Sequence, residues 1–283
     1  MHFDALHEAL AAIRVVAMRM HLHTPDVEAT VPMLRGVWGA ALRRQSLALY
    51  RDVFEGRSGE EDQPRYIVRP ARPYVMPRPA VEFVLINPEP DNVPDLLFAW
   101  EDALAKGLGK QRVPALTVWR YPLRPDVQPS VRHTDGFTLK DANWPLSSDV
   151  PCDLHLVSPL RILRNKTLVE QPTLHDLVVA TLRRIEAYCP PALGKELAGH
   201  RNDFLAISDD FPTGTWQGRR RDFQRWSARQ GREVEQEGVV GTLPLPAGSG
   251  PLSELLAAAL WLHIGKGTVM GLGQVVPSPV ELL

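Results

Sequence analysis

The chain has 283 residues, of which 44% are hydrophobic and 23% are charged, so it is long enough for two compact domains and too apolar to be disordered throughout. Its formal net charge of −1 argues against nucleic-acid binding driven by total charge and leaves only binding by local basic stretches. Its two cysteines, Cys152 and Cys189, exclude a disulfide framework and a zinc site of the usual ligand count.

No segment of the sequence predicts export or membrane insertion. The first twenty residues carry several charged side chains and lack the long apolar core of a signal peptide. The longest apolar run, residues 255–262, is far too short to span a bilayer. We therefore expect a soluble, cytoplasmic protein.

The first half of the chain predicts the element order β-α-β-β-α-β. Strands are indicated where apolar side chains alternate with polar ones, and helices where apolar side chains recur every three or four residues. The predicted elements are a strand over 13–23, a helix over 31–54, strands over 66–75 and 81–86, a helix over 92–106 and a strand over 114–121. Residues 1–124 are therefore predicted to form an N-terminal ferredoxin-like domain.

The same order restarts after a proline-dotted stretch, residues 125–150, which predicts a linker. The predicted elements of the second half are a strand over 153–162, a helix over 173–188, a hairpin within 216–245, a helix over 252–263 and a strand over 274–280. We predict an α+β fold of two tandem ferredoxin-like (RRM-like, βαββαβ) domains, the second covering residues 151–283.

Positive charge is concentrated in two stretches. One runs from Arg35 to Arg51, and the other, residues 217–232, contains six arginines and one acidic residue, Asp222. Phosphate binding needs only local positive charge, although such arginines could equally form a solvated surface. The arginines of the second stretch are Arg219, Arg220, Arg221, Arg225, Arg229 and Arg232.

Four glycines fall within residues 265–273, between a predicted helix and a predicted strand. Gly265 and Gly267 flank Lys266, so a flat backbone and a lysine could together meet phosphate oxygens. The stretch is not a Walker A loop, because Gly267 occupies the position that needs Ser or Thr. The alternative is an ordinary structural turn.

Four stretches together resemble the RAMP superfamily of CRISPR-associated proteins, and within it the repeat-processing endoribonucleases. Residues 262–273 are similar to the C-terminal glycine-rich signature of the superfamily. The other three similarities are to endoribonuclease patterns: residues 34–43 to RG-x-x-G-x-x-LR in the first helix, residues 107–112 to a GxGxxR turn, and residues 225–230 to R-x-S-x-RQ.

The resemblance implies a metal-independent endoribonuclease without a cofactor, which cleaves precursor CRISPR RNA within the repeat hairpin to give mature guide RNA. The ribose 2′-hydroxyl would attack the adjacent phosphorus, leaving 2′,3′-cyclic phosphate and 5′-hydroxyl ends. The enzyme would stay bound to the hairpin and join other CRISPR effector-complex subunits. Two alternatives are a non-catalytic RAMP-type RNA-binding subunit of such a complex and an unrelated RNA-binding protein with the same tandem domains.

The chemistry needs a general base and a general acid, and histidine suits both roles because its pKa lies near neutrality. The resemblance implies a catalytic histidine between the first strand and the first helix, so His23 is the first candidate and His21 the second. Both could instead be solvated strand residues. For two expected RNA contacts a structural role is the alternative: Arg35 could steady the first helix, and His263 could cap the last one. The expected RNA contacts are Arg19, Arg35, Lys266, Gly265, Gly267, Arg219, Arg220, Arg221, Arg225, Arg229 and His263.

Overall fold

The computed structural model describes residues 2–23, 30–55, 64–70, 80–108, 114, 116–123, 136–142, 149–227 and 232–279. Helices combine with antiparallel sheets, which confirms the predicted α+β class. The strands are β1 (Arg14–His23), β2 (Tyr66–Pro70), β3 (Ala80–Ile86), β4 (Leu116–Leu123), β5 (Phe137–Thr138), β6 (Cys152–Leu160), β7 (Leu163–Arg164), β8 (Thr167–Leu168), β9 (Gln217–Ser227), β10 (Arg232–Leu245) and β11 (Val275–Pro279). The α-helices are α1 (His2–Ala11), α2 (Val31–Gln45), α3 (Leu47–Tyr50), α4 (Val93–Ala105), α5 (Leu174–Tyr188), α6 (Pro191–Gly199), α7 (Arg201–Asp210) and α8 (Ser253–Leu262).

The chain forms two compact units. One is Arg14–Phe137, and the other combines Met1–Ile13 with Thr138–Leu283. Helix α1 therefore belongs to the same unit as the C-terminal half, where it contacts α6 and a 3-10 turn at Leu139–Asp141. The boundaries 1–124, 125–150 and 151–283 stay predictions, and much of the predicted linker lies outside the described residues.

The unit Arg14–Phe137 has the strand order β2-β3-β1-β4, with the short β5 also pairing with β1. Helices α2 and α4 pack on each other through stacked indoles, since the rings of Trp38 and Trp100 lie 5.0 Å apart and both side chains are fully buried. The prediction of one continuous helix over 31–54 is wrong, because the helix is interrupted at Ser46. The backbone of Ser46 is extended, and the Ser46 hydroxyl accepts a hydrogen bond from the Leu49 amide at 3.2 Å, so a new helix, α3, begins after it.

The second unit has the strand order β11-β6-β10-β9, and a separate small hairpin joins β7 to β8. Helix α5 begins as predicted, because Thr173 and Asp176 form a reciprocal capping box at its N-terminus. It packs against α6, α7 and α8. Both cysteines are free thiols, and burial raises the pKa of each to about 11. Within the described part of the chain, no helix is both long and apolar enough to cross a membrane.

Candidate RNA-binding and catalytic site

The glycine-rich loop between α8 and β11 follows a route that only glycine takes without strain. Gly265, Gly267, Gly271 and Gly273 have φ angles of 79°, 82°, 73° and 70°, which lie in the left-handed region. Gly273 is the most constrained, because a Cβ atom there would lie 1.8 Å from the carbonyl oxygen of Ile264. The backbone of the loop is thus fixed by residue type at four points.

Buried hydrogen bonds close the base of this loop. His263 has no exposed surface, and its Nδ1 donates to the Leu272 carbonyl at 2.9 Å. One residue further on, the Ile264 amide donates to the Gly273 carbonyl at 2.9 Å. The buried ring leaves RNA no surface to touch, so this placement favours a structural role for His263 over the expected RNA contact.

The capping role that was the alternative for His263 belongs to Arg184 on α5. Its guanidinium donates to the carbonyl of Leu262, the last residue of α8, at 3.0 Å and lies 4.7 Å from the ring centre of Tyr188. Burial lowers the pKa of Arg184, although the phenol of Tyr188 opposes the shift. Arg184 lies on the buried face of α5 beside Leu177 and Thr181, and sequence patterns missed it because arginine is rarely a core residue.

The outer part of the loop lies against the end of β6. The Lys266 amide donates to the Arg161 carbonyl at 2.9 Å, and the Gly273 amide donates to the Pro159 carbonyl at 3.1 Å. A Cβ atom at Gly265 would come within 2.7 Å of the same Arg161 carbonyl oxygen, so this close approach requires glycine. The side chain of Lys266 is exposed, as expected for a residue that meets phosphate.

The arginine-rich stretch forms most of β9, which lies at the end of the sheet beside β10. Arg219, Arg220 and Arg221 are all exposed. Arg220 is held by acids, with its guanidinium 2.9 Å from Asp222 and 2.6 Å from Glu237. Alternation along the strand places Arg219 and Arg221 on the opposite face, where neither forms an ion pair with a described residue. The side chain of Arg225 and all of Arg229 lie outside the described residues.

The two candidate histidines lie at the end of β1. Pairing with β3 stops at His21, which faces Ala80, whereas Leu22 and His23 continue to pair with β4 after a shift in register. Such a bulge changes the direction of the side chains that follow it. His21 is only 7% exposed, so it is not the solvated strand residue that was the alternative to a catalytic role. The side chain of His23 lies outside the described residues.

Arg19 takes part in a buried charge cluster across three strands. Glu82 on β3 pairs with Arg19 on β1 and Arg69 on β2, and each guanidinium Nε lies 2.7 Å from a different carboxylate oxygen. Burial alone would raise the pKa of Glu82, but the charges and hydrogen bonds of Arg69 and Arg19 outweigh it and lower that pKa. Sequence patterns placed Arg19 with RNA because they could not show that Glu82 faces it.

Arg35 contacts protein on one side of α2. Its Nε donates to the hydroxyl of Tyr66, and its guanidinium lies 5.2 Å from the ring centre of Phe54. Burial raises the pKa of Tyr66 to about 12, with the charge of Arg35 acting in the opposite direction. These contacts favour the alternative expectation, that Arg35 steadies the first helix.

The first-helix pattern contains two glycines with different surroundings. At Gly39 a Cβ atom would lie 2.9 Å from the ring of Phe54, so packing requires glycine. At Gly36 nothing lies within 4 Å, although glycine inside a helix costs about 1 kcal/mol relative to alanine. Of the pattern at residues 107–112, only Gly107 and Leu108 are described. In the described ranges, no group of three or more His, Cys, Asp or Glu side chains could hold a metal ion.

One family model matches this chain. Residues 154–275 fit the family described as CRISPR-associated endoribonuclease Cas6. The resemblance to CRISPR-associated repeat-processing endoribonucleases is thereby confirmed, and the Cas6 match contains the whole glycine-rich loop and the arginines of β9. None of the curated proteins matches the sequence.

Solved Cas6 structures share the fold over nearly the whole chain. Cas6 of Thermus thermophilus aligns with 14% identity and a TM-score of 0.55, over 94% of this chain and 98% of that chain. A Cas6 product complex aligns with 17% identity and a TM-score of 0.60, over 94% and 99%. A partial Cas6-RT-Cas1–Cas2 complex aligns with 12% identity and a TM-score of 0.59, over 95% of this chain and 46% of that chain. Identities this low show a common fold.

Replacing Gly273 with alanine is expected to lower the free energy of unfolding by more than about 2 kcal/mol. Alanine would be strained in the left-handed backbone conformation, and its Cβ atom would overlap the carbonyl oxygen of Ile264. Urea unfolding of full-length protein measures the change. Gly199→Ala is the matched control, since nothing lies within 4 Å of a Cβ atom there. Equal stability of the two variants would contradict the fixed route of the loop.

Proposed function

We propose that this protein is a metal-independent endoribonuclease that cleaves precursor CRISPR RNA within the repeat hairpin. The products are mature guide RNA with 2′,3′-cyclic phosphate and 5′-hydroxyl ends. The single observation that carries the proposal is the Cas6 match over residues 154–275, which includes the whole glycine-rich loop with its four left-handed glycines. The proposal places the protein in the cytoplasm and leaves it bound to the cleaved hairpin.

The proposal extends to the fold of each unit, which we describe as ferredoxin-like. In that fold the four strands take the spatial order 4-1-3-2, with a helical connection after the first strand and another after the third. The orders β4-β1-β3-β2 and β11-β6-β10-β9 both agree with this arrangement. Helices α2 and α3 follow β1, and α4 follows β3. In the second unit α5, α6 and α7 follow β6, and α8 follows β10.

The proposed RNA contacts are the described basic groups that remain accessible. Lys266 lies at the exposed part of the loop, with Gly265 and Gly267 leaving the backbone beside it uncovered. Arg219 and Arg221 project from the strand at the end of the sheet. Phosphate contacts of this kind fix the position of an RNA without reading its sequence.

The catalytic step needs a base on the 2′-hydroxyl, an acid at the 5′-oxygen and cations near the phosphorus. We assign the histidine role to His23 first and to His21 second. The position of His23 at the last residue of β1 supports this order, since the strand has by then passed its last pairing with β3. The 2′-hydroxyl forms the new bond to phosphorus as the bond to the 5′-oxygen breaks, and that oxygen takes up a proton.

One observation favours the second candidate, a non-catalytic RAMP-type RNA-binding subunit. His21, the second catalytic candidate, is buried, so it offers no fully open group for proton transfer. Such a subunit would keep the loop and the basic strand while holding guide RNA with other CRISPR proteins. The complexes named for solved Cas6 structures, one with product and one with RT and Cas1–Cas2, support both kinds of partner.

Purified protein mixed with a CRISPR repeat hairpin in excess EDTA is expected to make one discrete cut. Gel analysis before and after acid treatment detects a cyclic-phosphate end, and end-labelling by a kinase detects a free 5′-hydroxyl. A scrambled hairpin of equal length is the control and is expected to stay intact. Tight binding of the repeat without any cut would instead support the non-catalytic subunit.

A further inference from the structure

The small hairpin β7–β8 carries a lysine in an unusual backbone conformation. Its two-residue turn consists of Asn165 and Lys166, with φ angles of 52° and 66°. Positive φ at both positions is typical of a type I′ turn, in which the second residue is commonly glycine. Lysine at that position costs free energy that glycine would not, and such strain often marks a functional position. Both residues are exposed.

The β7–β8 hairpin begins directly after Arg161, the residue whose carbonyl is hydrogen-bonded to the glycine-rich loop. The Arg161 carbonyl accepts the Lys266 amide at 2.9 Å, and the adjacent Ile162 carbonyl accepts the Val169 amide at 2.9 Å, which closes the hairpin. At a rise of roughly 3.3 Å per strand residue, Lys166 lies within about 17 Å of Arg161. Lys266 and Lys166 are therefore exposed lysines on two backbone segments that are joined at Arg161.

The cations of this region differ in how far they are already neutralised. Arg164 lies 2.5 Å from Asp176, whose carboxylate is buried at the start of α5, so its charge is compensated. Arg161, Lys166 and Lys266 form no ion pair with any acid in the ranges that the structure describes. The Nε atom of Arg161 is buried and has no hydrogen-bond partner among the same residues. An unmet buried donor costs about 1–3 kcal/mol, whereas Arg161 as a whole is only half-buried, so part of this cationic residue stays accessible to a phosphate.

We propose that the β7–β8 hairpin forms a second phosphate-binding element beside the glycine-rich loop, with Lys166 and Arg161 contacting phosphates of the RNA strand that Lys266 holds. This inference rests on the proposed function for the identity of the RNA. The ligand chemistry is the sugar-phosphate backbone, because two flexible cations on a short turn offer no planar edge for reading bases.

The variant Lys166→Gly distinguishes an effect of charge on binding from an effect of backbone strain on stability. It removes the cation, and glycine adopts the positive φ without strain. We expect this variant to be at least as stable as wild type toward urea. We also expect its affinity for a repeat hairpin to fall about fivefold near 0.15 M salt, with the slope of log K against log salt smaller in magnitude by about 0.7–0.9. Arg161→Gln is expected to reduce that slope in the same way.

Two controls complete the experiment, which uses full-length protein and measures Kd at several salt concentrations for a repeat hairpin and a scrambled hairpin. Lys195→Gln removes an exposed charge on α6 and is expected to change neither affinity. Lys166→Arg keeps the cation and is expected to bind like wild type. If the slope of log K against log salt is unchanged in Lys166→Gly, the second phosphate element is overturned. That result leaves the proposed function intact if wild type prefers the repeat hairpin and cuts it.

The remaining outcomes separate the two proposals. If Lys166→Gly weakens binding of both hairpins equally and wild type neither prefers nor cuts the repeat, the phosphate element stands and the proposed function falls. If wild type binds neither hairpin, both fall together. If Lys166→Gly is also less stable than wild type, the turn serves the fold, and the element as proposed is overturned.

Discussion

Replacing His23 with alanine is expected to slow cleavage of a CRISPR repeat hairpin about 10²–10⁴-fold, the range that follows loss of a general acid or base. His21→Ala is expected to act in the same direction if the two histidines share the proton transfers. Single-turnover cleavage with enzyme in excess measures the chemical step without product release. Binding of the repeat hairpin should change little, because the proposed phosphate contacts lie elsewhere.

The matched control is His175→Ala, which removes a half-buried histidine on α5 that is paired with Asp209 at 2.7 Å and belongs to the other unit. Its cleavage rate should equal that of wild type. His21 is itself buried, so urea unfolding of His21→Ala separates lost chemistry from a damaged fold. Unchanged cleavage in both β1 variants, with full stability, would remove the histidine assignment.

Replacing Glu82 with glutamine is expected to lower the free energy of unfolding by about 3–5 kcal/mol at neutral pH. The reason is that Arg19 and Arg69 would lose their shared carboxylate, and Arg69 is only 4% exposed. Leaving a buried cation without a partner lowers the free energy of unfolding far more than losing an exposed ion pair does. Urea unfolding of wild type and variant at equal ionic strength measures the difference.

The same pair of proteins tests the sign of the pH dependence. Because the pKa of Glu82 is lower folded than unfolded, its contribution is complete above the unfolded carboxyl pKa, which is about 4.3. The contribution is lost as the pH falls through the folded pKa. The stability gap between wild type and Glu82→Gln should therefore narrow in acid and stay constant above pH 6.

Glu55→Gln is the control for Glu82→Gln. Glu55 also faces an arginine, Arg51, at 3.9 Å, but both side chains are exposed on one helical turn. Exposed pairs of this spacing contribute about 0.5 kcal/mol or less. A cost of Glu82→Gln no larger than that of Glu55→Gln would show that the buried cluster does not stabilise the unit.

The sequence predicted those elements whose signals are local. Alternation predicted β1, the spacing of apolar residues predicted α4 and α5, and four glycines predicted a tight loop that the φ angles then explain. Helices α1, α6 and α7 were not predicted, and Pro191 begins α6. Proline at the first helical position is compatible with a helix, because its missing amide would have no partner within the helix there.

The sequence could predict the role of a site residue only where that role depends on the residue's own backbone conformation or on its own exposure to solvent. Lys266 is such a case. Arg184 and His263 are not, because their partners are decided by packing between helices and loops far apart in the chain: Arg184 bonds a residue 78 positions away. Arg19 looked available for RNA since its partner Glu82 is 63 positions away, and a period-two pattern says nothing about which strand becomes the neighbour.

The position of β9 at the end of its sheet has a consequence for protein handling. An unpaired strand edge offers a row of free backbone amides and carbonyls to a neighbouring molecule, and cationic side chains are a common protection against such aggregation. Arg219, Arg220 and Arg221 place three like charges along that edge. Neutralising them together would invite self-association as well as weaken any grip on nucleic acid, so single substitutions keep the two effects apart.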